Sequence, residues 1–298
     1  MTRIVNNCVA LVCLCLFWGQ SLRAADASHS EQIKWGNESV FNEEHNTLGL
    51  FSGVLGGQIV LAGGTSDDYS RWRRNAVCLS ENAGFALYED VLSKPLAYGA
   101  SITLSDGILC IGGRDSSQCY EDVFFVTMQQ GKLNVSEDWP PLPFPLSNAA
   151  GALLDNKVYL FGGRKSVSPS RLSDSFFVLD LSNKSRGWKE LPGYPGCVRE
   201  DAILVVQNNG VSPCLYLLGG QTETEEGLSS CLTDGYVYNP QLGKWSSLGS
   251  DFPKGICAAV ASGANHILLF QKEPEDTQHL KKECLMEISC NYADSCQV

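Results

Sequence analysis

One segment occurs four times in this chain, as Ile59-Val-Leu-Ala-Gly-Gly64, Ile108-Leu-Cys-Ile-Gly-Gly113, Val158-Tyr-Leu-Phe-Gly-Gly163 and Leu215-Tyr-Leu-Leu-Gly-Gly220. Each copy is a short apolar run closed by two glycines, and the copies recur at a period of roughly 50 residues. Apolar runs of this length, bounded by glycine, predict buried strands. A repeat of this length built from strands is typical of a β-propeller, because one unit cannot bury both of its faces and must stack on its neighbours.

A tryptophan marks the later part of three repeats and begins a W-x-x-L step each time. We therefore predict an all-β fold in which each unit has four strands, A to D, joined by turns rich in Asn, Asp, Gly and Pro. Strand B ends at the glycine pair, and strand D carries the tryptophan. The repeat positions are Gly63, Gly64, Gly112, Gly113, Gly162, Gly163, Gly219, Gly220, Trp139, Trp188 and Trp245.

The beginning of the chain has the pattern of an export signal. Arg3 supplies a positive charge, and Val9 to Trp18 form an apolar stretch that is too short to span a bilayer. Small residues such as Ala25 then offer a cleavage site. We expect a signal peptide over residues 1–25, a propeller domain over residues 26–298 without a membrane span, and export to the periplasm or secretion.

The fifth repeat is incomplete in the sequence. Cys257 to Phe270 copy strands A and B, but Gln271 and Lys272 replace the glycine pair, and Cys284 to Cys290 offer one further strand. Trp35 has the spacing of a strand D tryptophan in a blade shared by both ends of the chain. We therefore expect a six-bladed ancestry with about five blades present, a last blade that is degenerate or truncated after about residue 271, and a poorly closed ring.

The charge pattern excludes several classes of partner. The formal net charge is −11 and no run rich in Lys or Arg exists, which argues against binding to nucleic acid or to anionic membranes. The 13 cysteines contain no close CxxC pair, so no metal site is predicted. Cys110 and Cys119 either pair across the connection between strands B and C or remain free as small apolar residues.

Three stretches resemble a known family: Leu92-Ser-Lys-Pro-Leu-Ala-Tyr-Gly-Ala-Ser101, Pro145-Leu-Ser-Asn-Ala-Ala-Gly-Ala-Leu153 and Leu232-Thr-Asp-Gly-Tyr-Val-Tyr-Asn-Pro240. Together with the glycine and tryptophan periodicity, they resemble Kelch repeats, and within these the cyclically permuted branch of N-acetylneuraminate epimerase, the sialic acid mutarotase. The resemblance implies a six-bladed Kelch propeller that interconverts the anomers of free N-acetylneuraminate. The family's G-E-x-x-P-G-x-R-T segment, which carries its Glu and Arg, has no match here, so the catalytic residues remain unknown.

Strand geometry indicates where a ligand site would lie. Adjacent strands are antiparallel, so the B–C and D–A loops emerge at one end of the propeller, here called the mouth. Arg forks suit a sugar carboxylate, and Asn and Tyr suit the neutral groups of the sugar. The candidate substrate-binding residues at the mouth are Arg114, Arg164, Arg199, Asn148 and Tyr98.

Mutarotation needs only proton transfers, so we expect no cofactor. Glu200 and Asp201 offer carboxylates near the predicted mouth, but acidic residues are common in this chain, so the signal is weak. The alternative function is a non-catalytic Kelch propeller that binds a glycan or a protein partner. A sialidase is disfavoured because its S-x-D-x-G-x-x-W boxes are missing from the sequence. The oligomeric state stays open.

Overall fold

The structure is a computed structural model that describes residues 47–80, 84–271 and 285–289. Several of the sequence predictions lie outside these residues. They are the signal peptide, Trp35, Lys272, and the residues at positions 284 and 290 that bound the predicted further strand.

Four complete blades follow one another along the chain, and each is a four-stranded antiparallel sheet with its strands in chain order, A to D. Blade I consists of Phe51–Leu55, Gln58–Ala62, Ala76–Ser80 and Gly84–Tyr88. Blade II consists of Ala100–Thr103, Ile108–Ile111, Val123–Gln129 and Lys132–Ser136. Blade III consists of Ala150–Leu154, Lys157–Phe161, Phe176–Asp180 and Lys189–Glu190. Blade IV consists of Ile203–Asn208, Pro213–Leu218, Gly235–Asn239 and Lys244–Gly249.

A fifth sheet has three strands, Ile256–Ser262, His266–Gln271 and Leu285–Ser289. Its first two strands are the predicted copies of A and B, and its third lies within the predicted stretch from Cys284 to Cys290. The A strands of successive sheets contact one another, so they form the hub of a β-propeller. This confirms the all-β propeller predicted from the repeat.

Short two-stranded antiparallel sheets lie in the connections between these strands. Three of them pair Thr47–Leu48 with Thr65–Ser66, Arg164–Ser166 with Arg171–Leu172, and Gln221–Glu223 with Ser229–Cys231. In blade III a 3-10 helix, Leu181–Arg186, joins strands C and D, and the Asp180 side chain accepts a hydrogen bond from the Ser182 amide at its start. Two of the three ladders extend a B–C connection at the mouth.

Each strand B ends at the residue before its glycine pair, as predicted. The reason is steric. Gly112 has φ +61°, and a Cβ there would lie 2.2 Å from the carbonyl oxygen of Leu146. Gly113 donates its amide to that same oxygen at 2.8 Å. The pair therefore lets the D–A connection of the next blade approach the backbone at a distance that a side chain would prevent.

The core is layered between neighbouring blades rather than gathered at one centre. Phe51 of blade I meets Phe124 of blade II with ring centroids 5.3 Å apart. Phe176 of blade III meets Tyr238 of blade IV at 4.9 Å. Ile267 of the fifth sheet is fully buried against blade IV. Each blade thus buries its apolar faces against its neighbours, which fixes the loops at the mouth relative to one another.

Two details differ from the predictions. Trp245 lies in strand D, but Trp188 lies just before its strand and Trp139 lies after its strand. In blade II the tight turn at Gln130 and Gly131 starts strand D early, so the strand ends before the tryptophan is reached.

The cysteines follow the second of the two alternatives. Cys110 and Cys119 are free thiols, and both are buried. Cys110 lies within strand B of blade II, where burial raises the pKa of its thiol. Cys119 instead lies beside the Ser147 hydroxyl, with 3.4 Å between Sγ and Oγ. Both thiols are thus buried without a disulfide, and each makes a weak hydrogen bond.

Candidate functional site

Backbone hydrogen bonds connect consecutive blades at the mouth. Gly49, Tyr98, Asn148 and Asp201 each lie two residues before a strand A, and all four have φ between +52° and +70°. The amide of Tyr98 donates to the Gly49 carbonyl at 2.8 Å, Asn148 to Tyr98 at 2.7 Å, and Asp201 to Asn148 at 3.0 Å. These four residues, here called the mouth belt, bring the predicted Tyr98 and Asn148 together with Asp201.

Arg114 lies among aromatic rings at the mouth. Its guanidinium carbon is 4.6 Å from the ring centroid of Tyr98, 5.3 Å from that of Trp72 and 5.9 Å from that of Tyr69. Such contacts hold an arginine by cation–π attraction and leave its hydrogen-bond donors available. Within the described residues the guanidinium has one long hydrogen bond, 3.5 Å to the Asp115 carbonyl oxygen, and no carboxylate partner within 4.0 Å.

Arg164 occupies the equivalent position one blade further on, but its donors are engaged. It makes a bidentate pair with Glu200, with Nε to Oε2 at 2.8 Å and Nη2 donating to Oε1. Nη2 also donates to Glu223 at 3.0 Å, and Nη1 donates to Ser170. The Glu200 hydrogen bond raises the pKa of Arg164 above its usual range, although partial burial opposes the shift.

The different states of the two arginines follow from one position in the neighbouring blade. Ala97, Ser147 and Glu200 are equivalent, since each forms a β-bridge to the residue after a glycine pair. Arg164 reaches forward to Glu200, whereas the position equivalent to Glu200 relative to Arg114 is Ser147, which carries no charge. Arg114 therefore keeps a guanidinium fork that suits a carboxylate from outside the chain.

Arg199 is completely buried. Its Nη1 and Nη2 donate to the two carboxylate oxygens of Asp234 at 2.7 and 2.8 Å, Nη1 also donates to the Gly219 carbonyl, and Nε donates to the Tyr194 hydroxyl. Asp234, rather than the adjacent Glu200 or Asp201, is thus its ionic partner. The structure places Arg199 inside the protein, where it connects a D–A loop to blade IV, and does not bring it to the mouth surface with Arg114.

Asp201 is the acidic member of the mouth belt. Its Oδ1 accepts a hydrogen bond from Nδ2 of Asn148 at 2.9 Å. Burial raises the pKa of Asp201 to about 6, and the neighbouring Glu200 carboxylate adds to this rise. The Asn148 hydrogen bond and the charges of Arg164 and Arg114 act in the opposite direction. A carboxyl group with this pKa exchanges its proton near neutral pH, as a general acid or base must.

Tyr98 contributes a second polar group. Its hydroxyl oxygen is buried and has no hydrogen bond of good geometry within the described residues. Burial raises the pKa of Tyr98, the nearby Tyr69 hydroxyl adds to the rise, and the charge of Arg114 opposes it. The phenol therefore remains neutral, and its ring supports the Arg114 guanidinium from inside the protein.

The sequence missed two aromatic residues and one acid of this region. Tyr69 and Trp72 lie in the B–C loop of blade I, and Glu223 shares Arg164 with Glu200. The loop position could have indicated the aromatic pair, because B–C loops emerge at the mouth. The described residues contain no group of three or more His, Cys, Asp or Glu arranged to hold a metal ion. Within the same residues, no helix has the length and apolar character needed to cross a membrane.

Comparison with known proteins gives a family-level similarity. Residues 139–273 match the family model of N-acetylneuraminate epimerase. An N-acetylneuraminate epimerase of Yersinia pestis is 30% identical over 139 residues, which are 45% of this chain and 33% of the relative. One from Haemophilus influenzae is 31% identical over 131 residues, which are 44% of this chain and 32% of the relative.

A Kelch domain-containing protein of Vibrio cholerae is 30% identical over 141 residues, covering 46% of this chain and 36% of the relative. This similarity fits the observed fold, so the chain has an all-β propeller of Kelch type. The chain spans about a third of the length of the curated epimerases that it matches. The matched stretch contains Asn148, Arg164 and Asp201, whereas Tyr98 and Arg114 precede it.

Proposed function

We propose that this chain binds a free acidic sugar of the N-acetylneuraminate class at the mouth and accelerates the exchange of its anomers. The names of the relatives support the sugar class. The guanidinium of Arg114, which has no carboxylate partner in the part of the chain that the structure describes, supports binding of the sugar carboxylate, because an Arg fork and a carboxylate form two parallel hydrogen bonds. The carboxyl group of Asp201 supports the catalytic part of the proposal.

Asp201 carries the proposal because its position and its protonation suit the reaction. Its ionised carboxylate takes the proton of the anomeric hydroxyl while the bond between the anomeric carbon and the ring oxygen breaks and the carbonyl forms. The ring oxygen receives a proton from solvent and becomes a hydroxyl. Ring closure on the other face of the carbonyl reverses these transfers, and Asp201 returns its proton to the new anomeric oxygen. The pKa of about 6 allows both directions near neutral pH.

The experiment follows anomer exchange by proton NMR on freshly released α-N-acetylneuraminate. We expect a rate that increases with protein concentration and that Asp201→Asn returns to the spontaneous value. General acid–base catalysis typically contributes about 10²- to 10⁴-fold, so the loss should be large. Asp155→Asn is the matched control, because Asp155 lies in a left-handed A–B turn that Asn tolerates equally well.

The outcomes separate the two candidate functions. Binding of the sugar with no acceleration by the wild-type chain would reject anomer exchange and favour the non-catalytic propeller. Full acceleration by Asp201→Asn would reject the role of Asp201. If the wild-type chain neither binds the sugar nor accelerates its exchange, the proposed sialic acid class is rejected altogether.

A further inference from the structure

The B–C loop of blade I is held in one conformation by its own side chains. Oδ1 of Asp68 accepts hydrogen bonds from the Ser66 hydroxyl, the Ser70 amide and the Ser70 hydroxyl, at 2.5, 3.0 and 2.8 Å. The Ser66 amide donates to the Arg71 carbonyl at 2.9 Å. These bonds lower the pKa of Asp68 to about 2, so the carboxylate accepts them in its ionised form at neutral pH.

This hydrogen-bonded loop presents two aromatic rings at the mouth. Tyr69 has φ +59°, a conformation that a tyrosine adopts only where its surroundings impose it, and its side chain is 39% exposed. Nε1 of Trp72 donates to the Tyr69 carbonyl at 3.1 Å, which fixes the indole. The centroids of the two rings are 6.5 Å apart, and that of Trp72 is 6.3 Å from Tyr98. The unusual backbone conformation therefore occurs at the residue that exposes its aromatic ring, Tyr69.

We propose that Tyr69, Trp72 and Tyr98, here called the aromatic corner, form with Arg114 a binding subsite for the ring of an acidic sugar. The carboxylate pairs with the Arg114 fork, and the apolar C–H face of the sugar lies against the exposed parts of the Tyr69 and Trp72 rings. Tyr98 supports this surface from beneath, since its ring centroid lies 4.6 Å from the Arg114 guanidinium carbon and 6.3 Å from that of Trp72. Because hydrogen bonds within the chain already hold the loop and the indole in this arrangement, little ordering opposes binding.

This inference rests on the proposed function for the identity of the sugar, but it concerns residues that the family similarity does not cover. All four side chains precede residue 139, where the matched stretch begins. They also come from two blades, with Tyr69 and Trp72 following strand B of blade I, and Arg114 following strand B of blade II. The subsite therefore depends on the angle between two blades and not on one loop alone.

The test measures dissociation constants by calorimetry for N-acetylneuraminate and for its methyl ester, which lacks the charge. Arg114→Met should weaken binding of the acid by about ten- to a hundredfold and binding of the ester clearly less, because the ester carbonyl loses only a hydrogen bond to an uncharged acceptor. Trp72→Leu and Tyr69→Asn should weaken both ligands by roughly tenfold, the effect of exposing about 60 Å² of apolar surface. Lys184→Met is the matched control. It also removes a cation that lies over an aromatic ring, 4.0 Å from the Trp139 centroid, but this contact lies between blades II and III, outside the proposed subsite.

Two variants keep the test decisive. Tyr69 is exposed and Asn tolerates its left-handed backbone, so Tyr69→Asn should fold even if Trp72→Leu does not. Unchanged affinity for the acid in Arg114→Met, or unchanged affinity for both ligands in Tyr69→Asn, would overturn the subsite while leaving anomer exchange intact. Sugar binding that these variants weaken, without any acceleration by the wild type, would establish the subsite and reject the catalytic function. A wild-type chain that binds neither ligand would overturn both.

Discussion

At the scale of single residues, Asp201 lowers the stability of the fold at neutral pH. An unfolded aspartate has a pKa of about 3.9, and burial raises that of Asp201 to about 6. The folded chain therefore binds this proton more tightly, so the free energy of unfolding falls as the pH rises from about 4 to 6. The full effect, up to about 2–3 kcal/mol, is present above pH 6. A carboxylate kept at such a position is more readily explained by function than by packing.

Two neighbours of Asp201 should move its pKa in opposite directions. Glu200→Gln removes a negative charge that raises this pKa, so the titration midpoint should fall below that of the wild type. Asn148→Ala removes a hydrogen bond that favours the ionised form, so the midpoint should rise. Carboxyl ¹³C chemical shifts give the midpoints, and the rate of anomer exchange should follow them. Shifts of the same sign in the two variants would contradict the arrangement described.

The pairing of individual side chains was the feature that the sequence predicted least well. The pattern placed Arg114, Arg164 and Arg199 at one end of the propeller, but it could not tell which of them is already paired. Arg199 meets Asp234, which is 35 residues away in the chain and becomes adjacent only through the packing of blade IV. Arg164 meets Glu200 across a blade boundary. Such pairs depend on side-chain directions that no spacing rule contains.

At the scale of the structural element, some glycines are required because a side chain would clash with the next blade, and others only because their φ is positive. Gly112→Ala places a Cβ 2.2 Å from a carbonyl oxygen and also forces a positive φ on alanine. Gly131→Ala forces a similar φ of +74° but meets no atom within 4 Å. We expect Gly131→Ala to destabilise by about 1–2 kcal/mol, and Gly112→Ala by clearly more, because the next blade must shift. Urea unfolding measures both, and equal losses would contradict the steric role of the pair.

The elements themselves were largely predictable. All four B strands end where the sequence places them, and the A–B turn at Asp155 and Asn156 has the two positive φ angles that its composition favours. The outer strands were predicted less well, since the position of Trp139 relative to strand D depends on the length of a turn. Inner strands are fixed by buried apolar residues, whereas outer strands are fixed by hairpin geometry.

At the scale of the whole molecule, the layered core implies a gradient of stability from the B strands to the outer edges. Strand B pairs on both sides and is fully buried in blade II, where Leu109 and Cys110 are 0% exposed. Strand D of the same blade pairs on one side only and is mostly exposed or half-buried. Hydrogen exchange should therefore be at least about 100-fold slower for Ile108–Ile111 than for Lys132–Ser136. Equal rates would mean that the blade opens only as one unit.

The mouth belt has a consequence for how this scaffold can acquire new binding specificities by amino-acid substitution. Its connections run through backbone amides and carbonyls, while the four residues at the same position are Gly, Tyr, Asn and Asp. The fold thus tolerates unlike chemical groups at one repeated point around the axis, and it holds each of them in the same backbone conformation. New specificities can arise by exchanging single residues at Tyr98, Asn148 or Asp201 for others that tolerate a positive φ, and a library restricted to such residues would explore them without rebuilding the scaffold.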